Sequence, residues 1–404
     1  MNAKRQLLFL NLYNVLFSLR IADGVWVVFL LARGFSLMEV GLAQSVYSLT
    51  SFFGEVPSGV AADLLGRKRT LAAAGVCGVL ASLLMAFSQN LMGICAAMAV
   101  QAIMFNLRSG TQQALAYDTL KAADREKEYP RANAVLRVVS RVSASLSSLL
   151  GGFATLLGYF PAYLLNALSG VACGACTLAI QEPQVTEAQR RRTQHPFAGM
   201  GSRLKDHLIN SIRFFRERPA AGLKLLASAA AAVPVYLSAA FLQQSLLDGG
   251  LPNAFLGMAL MLLNLSSTVG MVLGARLKTK LFPLALACGL GCGAATLLAG
   301  ASWWLLALLG GFGAQILYNV LDLRVDVSLN QVFPSDQRAT LVSVRSMAYS
   351  LLMIAASPLA GAVGDAFGAA WTFRFLGLGL LLLTGAGGFL YRLWTEKNTH
   401  KTSS

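Results

Sequence analysis

The chain has 404 residues, of which 56% are hydrophobic and only 13% charged, with a mean hydropathy of +0.60; a soluble domain carries about 25% charged residues. This excludes a water-soluble enzyme with an ordinary polar surface, and at about 20 apolar residues per span and about a dozen per connection the length accommodates roughly twelve spans and no separate globular domain. The formal charge of +15 would suit a nucleic-acid partner, but the 33 Lys and Arg follow a pattern with another cause.

Apolar stretches begin near residues 7, 41, 70, 92, 132, 161, 222, 253, 281, 303, 341 and 371, each long enough to cross the roughly 30 Å hydrocarbon layer as a helix. The first runs past Arg20 to about Leu31 without a signal peptide's short apolar core and cleavage site, so it reads as an uncleaved span. Basic residues occupy alternate connections. They stand at Lys4 and Arg5, Arg67 to Arg69, Lys121 to Arg131, Arg190 to Arg218, Arg276 to Lys280, Arg338, and Arg392 to Lys401. The connections near Gln89, Tyr159, Asp248, Gly300 and Gly368 carry almost none; Arg33 and Arg374 are the exceptions. The positive-inside rule then places both termini in the cytoplasm of a multi-pass plasma (inner) membrane protein. Basic residues scattered over seven segments, with no aromatic platform among them, do not make a nucleic-acid site.

The longest polar stretch divides the chain into an N-terminal six-helix bundle (1–181), a basic linker (182–219) and a C-terminal six-helix bundle with a short tail (220–404). Within the linker, Arg190 to Arg192 read as solvated positive charge, and the run from Arg203 reads as a surface helix on the inner leaflet. The halves echo each other. R-A-N-A-V-L-R from Arg131 leads into span five and R-A-T-L-V-S-V-R from Arg338 into span eleven, and Phe105-Asn106 in span four has a counterpart in Tyr318-Asn319 of span ten. Two parallel six-helix repeats are expected.

Between spans two and three the chain reads G-V-A-A-D-L-L-G-R-K-R, from Gly59 to Arg69. A Gly, an Asp four residues on and a Gly-Arg-Lys turn at this place in the topology resemble the signature loop of the major facilitator superfamily, and the hydropathy and charge plan of the whole chain is similar to that family's. The resemblance implies an all-α integral membrane fold of twelve helices in two pseudo-symmetric bundles. It also implies that Gly59, Asp63, Gly66, Arg67 and Lys68 latch the halves in the outward-facing state. Physically, Asp63 ends span two where it can accept from Arg67 near a helix N-terminus. Gly59 admits a close helix neighbour and Gly66 a tight turn. Asp118, in Y-D-T-L-K at the end of span four, is a further acceptor for Arg67 or Lys68.

The drug/proton antiporters of that family have G-P-x-x-G-G in span five. Here the sequence is S-S-L-L-G-G from Ser147 to Gly152, sharing only the last two glycines, while Pro358 to Gly361 supplies P-x-x-G in span eleven. Gly151, Gly152 and Gly361 in either case allow close helix contact.

A charge at bilayer depth is costly unless it faces protein or a wet cavity. Arg20 and Asp23 (span one), Glu55 (span two), Arg108 (span four), and Arg137 and Arg141 (span five) are such charges in the first half. In the second half they are Asp322, Arg324 and Asp326 (span ten) and Arg345 (span eleven). Spans one, two, four, five, ten and eleven should therefore line a central cavity, with three, six and nine facing lipid. Counting rises from the cytoplasmic ends, Glu55 lies about 12 Å inward, Arg108 about 15 Å, and Arg137 and Arg141 roughly 8 to 14 Å, so these four can meet at one depth beside Asn106. Glu55 is either half of a static pair with an arginine or a proton carrier; Asp23, with Arg20 at i−3, is the preferred proton carrier. Asp322, Asp326 and Arg345 read as an inner gate. Four arginines against two carboxylates in the first half point to an anionic or zwitterionic substrate.

These features describe a secondary transporter moving a small organic solute by alternating access. Export against proton entry is what the antiporter resemblance implies, and proton-coupled uptake of an anionic or zwitterionic metabolite is the alternative. A sensor or membrane enzyme without net transport would need a nucleophile and base or a metal cluster, and the sequence offers none. Neither metal nor cofactor is expected. Cys173 and Cys176 lie inside span six, His195, His207 and His400 fall in polar segments, and no Walker loop is present. The expected partners are a small-molecule substrate, protons and the lipid bilayer, and the chain reads as a monomer.

Overall fold

The computed structural model describes residues 3–183, 219–332 and 338–402, with isolated positions between 209 and 217. The arginine triplet and the run from Arg203 lie largely outside the described residues. In the first half, α1 (Ala3–Ser18) and α2 (Trp26–Ala32) flank a 3-10 turn at Ile21–Gly24. They are followed by α3 (Leu37–Leu65), α4 (Arg67–Phe87), α5 (Leu91–Arg108), α6 (Thr111–Lys121), α7 (Tyr129–Gly152), the single turn α8 (Ala154–Leu157) and α9 (Tyr159–Leu178). The second half comprises α10 (Pro219–Asp248), α11 (Asn253–Arg276), α12 (Leu281–Ala299), α13 (Trp304–Val332), α14 (Arg338–Phe367) and α15 (Ala369–Thr402).

Ten of these stretches, with α5 and α6 taken together, are long and apolar enough to cross a membrane. The other two expected spans are α3, with 29 residues, and the α1–α2 pair. All twelve begin within a few residues of the apolar stretches read from the sequence. Local chemistry sets the ends. Ser36 and Glu39 form a capping box on α3, Asn90 caps α5 by accepting from Gly93 N, and Gly66 turns the chain between α3 and α4 at φ +89°. Spans three, six and nine (α4, α9, α12) carry exposed apolar side chains such as Val76 and Leu80, Leu165 and Leu168, and Leu290 and Leu298. That is the surface a lipid-facing helix needs.

Spans one and four are interrupted, which the sequence did not announce. Span one breaks at Leu19–Val25, and span four breaks at Ser109–Gly110, with Gly110 at φ +73°. The first break lies within the protein, where neighbouring side chains satisfy the freed backbone groups, and the second is exposed. Ala22 N, for example, donates to Asn166 Oδ1 at 3.2 Å.

The halves meet chiefly along α3 with α14 and α7 with α11, with a smaller contact of α2 on α10. These crossings are built on glycine. A side chain at Gly41 would run into the Ser357 carbonyl and Pro358, one at Gly361 into Leu37 and Met38, and one at Gly152 into the backbone of Gly257. Gly41 and Gly257 each stand four residues after the start of their helix, so the two crossings repeat one design. Pro358 lacks the N–H that would bond the Ile354 carbonyl, and Ser45 Oγ of the opposite half donates to that carbonyl instead, at 2.8 Å. Asp365 accepts from Leu37 N and Met38 N at 2.9 and 2.8 Å, and so caps α3 from across the interface.

Gly151 and Gly152 therefore serve close contact as expected, Gly151 against the Ile21 carbonyl. Gly59 does not. A Cβ there would meet nothing within 4 Å among the described residues, which do not supply the close helix neighbour that the sequence reading gave it. Gly152→Ala is expected to destabilise the folded protein by about 1–3 kcal/mol through overpacking, whereas Gly59→Ala is expected to stabilise it by about 0.5–1 kcal/mol through helix propensity. Thermal unfolding of the two variants in detergent checks the difference in sign.

Candidate functional site: a cavity between the halves

On each of the four helices that join the halves, residues lining a cavity of about 700 Å³ lie to one side of the crossing contacts, eight or more positions from them on α3, α11 and α14 and four or more on α7. On α3 the contacts reach Ser45 and the cavity is met at Glu55; on α14 they reach Ile354 and the cavity is met at Ser346. On α7 the contact is at Leu149 and Gly152 and the lining at Leu136 to Ser145; on α11 the contact is at Gly257 and the lining at Leu265 to Met271. The halves are therefore closed at one end and diverge beyond it. That volume suits a drug-sized organic molecule.

The structure brings Glu55, Asn106, Arg108, Arg137 and Arg141 to this single cavity, as the helical rise predicts. Asn106 bridges α5 to α3. It donates from Nδ2 to the Ser51 carbonyl at 3.0 Å and accepts from Ser51 Oγ at 3.1 Å. Arg108 is held by Asn14, donating from Nη2 to Oδ1 at 2.6 Å, and lies over the Phe17 ring at 4.2 Å, while its Nε has no partner. Arg137 and Arg141 stand one turn apart on α7, exposed to the cavity, and neither forms an ion pair among the described residues.

Glu55 differs from the static-pair reading. Its carboxylate accepts from Ser343 Oγ at 3.5 Å and Ser346 Oγ at 3.3 Å, both on α14 of the opposite half, rather than from an arginine. Asp23 differs in the other direction. Its Oδ2 accepts from Arg20 Nε at 2.6 Å and Gln101 at 3.3 Å, and its Oδ1 from Asn166 at 2.9 Å and Arg20 Nη2 at 3.3 Å. Arg20 is buried, and the pair does not line the cavity. Arg20 and Asp23 form a closed polar plug in the break of span one.

At the signature loop, Arg67 pairs with Asp118 and donates from Nη1 to the Ala114 carbonyl at 2.8 Å. The side chain of Asp63 lies outside the described residues. Lys68 does not reach Asp118; its Nζ donates to the Leu178 carbonyl at 3.2 Å. The α4 N-terminus, including Arg67 N and Lys68 N at 2.8 and 2.7 Å, is capped by Glu182. Glu182 follows α9 by only a few residues and lies far from α4 in sequence, so no local spacing could have pointed to it.

In the second half Asp322 pairs with Arg345 and accepts from Ser228 at 3.1 Å and Tyr318 at 3.3 Å, and Arg345 stands 3.8 Å from Asp326. All these groups belong to α10, α13 and α14, so the cluster ties helices within one half rather than across the two. Span ten accordingly contributes no lining residue, contrary to the expectation from its charges, and span eight lines the cavity instead through Leu265, Thr268 and Met271. Span eight has no charge inside the membrane, and a reading based on charge could not find it. Among the described residues no group of three His, Cys, Asp or Glu stands together to hold a metal.

Asp23→Asn should leave the buried Arg20 unbalanced and cost on the order of 3 kcal/mol. Glu55→Gln keeps both serine contacts and should cost less than about 1 kcal/mol. Unfolding midpoints of the purified variants check this contrast.

No curated protein matches the sequence closely enough to count as a relative. Among solved structures, a mutant of the nucleoside transporter NupG superposes with a TM-score of 0.76 at 13% identity, covering 95% of this chain and 98% of its own. A D-xylose-proton symporter gives 0.71 at 12% identity over 95% and 97%, and a mutant peptide transporter POT 0.71 at 13% over 94% and 92%. The family model described as Major Facilitator Superfamily matches residues 8–322. With twelve spans in two bundles, a glycine-built crossing between them and the Gly59 to Arg69 loop in place, the chain belongs to the Major Facilitator Superfamily and is a transporter of that fold.

Proposed function

We propose that this protein is a proton-coupled secondary transporter of a small organic solute, with the cavity between its halves as the solute site and Glu55 as the proton-carrying group. One observation carries the reading: the Glu55 carboxylate faces the cavity and is bonded across the interface to Ser343 and Ser346, with no cation paired to it among the described residues. A group so placed exchanges hydroxyls for water whenever the halves separate, and its proton affinity follows the change in solvation. Asp23, fixed by Arg20 and two amides, has no comparable change of surroundings. With the basic connections in the cytoplasm, the closed end faces outward and the cavity opens inward.

Direction follows from the charge of the solute. Export against protons, implied by the antiporter resemblance, suits a cation that competes with the proton for Glu55. Uptake together with a proton suits an anion, which binds better once Glu55 is neutral. The cavity holds Arg108, Arg137 and Arg141 against Glu55 alone, which favours uptake.

In proteoliposomes with a pH-sensitive dye inside, addition of a transported solute is expected to acidify the lumen. Glu55→Gln should abolish acidification and accumulation against a gradient while retaining solute exchange at equal pH. Unchanged proton movement in Glu55→Gln would remove Glu55 from this role. Alkalinisation on solute entry would establish antiport.

A further inference from the structure

Every arginine at membrane depth outside the cavity finds a local answer. Arg20 is paired with Asp23, Arg345 with Asp322, and Arg324 donates to the Thr279 carbonyl at 2.7 Å. Arg137 and Arg141 have none of this. Four residues apart on α7, their Cβ atoms stand about 5 to 6 Å from each other on one face, exposed to the cavity and without ion-pair partners among the described residues. Two guanidinium groups at this spacing repel each other, and they are retained at depth only if something else neutralises them in the working cycle. Arg108 adds a third cation on the same wall, with its Nε unpartnered.

The rest of the lining mixes amides and hydroxyls with apolar side chains. Phe105, Val138 and Val142 of the first half and Leu265 and Met271 of the second give the cavity that holds the arginine pair apolar surface as well. Thr268 and Ser145 offer hydroxyls. Such a site takes a molecule with one anionic group and an apolar body.

We propose that Arg137 and Arg141 form the anion clamp of this transporter, binding the carboxylate or phosphate of a small amphipathic organic anion whose body lies against Phe105, Leu265 and Met271. The assignment rests on the cavity being the solute site, and it names the solute class. Guanidinium forks suit both oxyanions because each presents paired N–H donors to paired oxygens.

Equilibrium binding to the full-length protein, in neutral detergent without added lipid, tests it. The probes share one ring system and differ in charge: 2-naphthoate, 2-naphthyl phosphate, 2-naphthamide and 2-naphthylmethylammonium. The two anions are expected to raise the unfolding midpoint and bind measurably by calorimetry, with the amide and the ammonium silent; whichever anion binds tighter identifies the oxyanion. Arg137→Gln and Arg141→Gln should each weaken anion binding by about tenfold or more, with the ligand-free midpoint retained, and Arg141→Lys should recover part of the loss. Equal binding of the amide, preference for the ammonium, no binding by either anion, or an anion preference that survives both glutamine variants would overturn the proposal. Binding is read without a gradient, so it is independent of the proton measurement. Anion binding with normal proton movement in Glu55→Gln would fail the coupling role alone, and intact Glu55 behaviour with a neutral or cationic ligand would fail the clamp alone.

Discussion

Hydrocarbon offers no partner to a polar group, and that constraint arranges this molecule more than any other. A backbone carbonyl, an amide or a guanidinium placed at membrane depth must be answered by another part of the chain or stand against water. The fold can be followed as a set of such answers. Pro358 frees the Ile354 carbonyl, and a serine of the opposite half takes it. The break in span one frees Ala22 N, and Asn166 takes it while also binding Asp23. Because these partners come from other helices, each interruption binds the bundle together locally.

The same constraint explains the choice of residues at the interface between the halves. Lipid tails are as apolar as leucine, so there is no hydrophobic gain in pressing two helices together inside a membrane; close approach of small residues and a few hydrogen bonds must suffice. The crossings at Gly41 and Gly361 and at Gly152 and Gly257 provide that approach. Among the described residues the charged ties between the halves are Asp365 on the α3 N-terminus and, at the cavity, Glu55 on Ser343 and Ser346. Separating the halves would expose Asp365 and the α3 N-terminus at the bundle end and would leave the Ile354 carbonyl to be answered by water between them. The ion pairs Arg20–Asp23, Arg67–Asp118 and Arg345–Asp322 each lie within one half, and so travel with it unbroken.

Much of this was legible from the sequence because it rests on properties that act locally. Span positions follow from runs of apolar residues, and the common depth of Glu55, Arg108, Arg137 and Arg141 follows from helical rise alone. What escaped depends on neutral residues or on partners distant in the chain. Gly110 breaks span four without any charge to mark it, and α11 lines the cavity with Leu265, Thr268 and Met271. Glu182 caps α4 from 115 positions away from Arg67. Charge was a sound guide to depth but a poor one to surroundings: Asp23, the preferred proton carrier, is paired with Arg20, whereas Glu55 meets two serines. Composition cannot separate these cases, because it records the carboxylate and not the donors that reach it.

That difference bears on the proton coupling proposed for Glu55. A paired carboxylate inside a membrane resists protonation, since taking the proton would strand its cation at depth. Glu55, bonded to two hydroxyls, strands nothing when it is protonated, and its neutral form still serves those hydroxyls. In a region of low dielectric, removing one negative charge also strengthens the hold of nearby arginines on any anion, because the competing carboxylate no longer offsets their field. On the proposed reading, proton and anion favour each other's binding by the same free energy in both directions, as linkage requires. If the proposal holds, a cavity lined by Arg137 and Arg141, without ion pairs among the described residues, and by Glu55 ties the sign of the solute's charge to the direction of coupling through electrostatics alone.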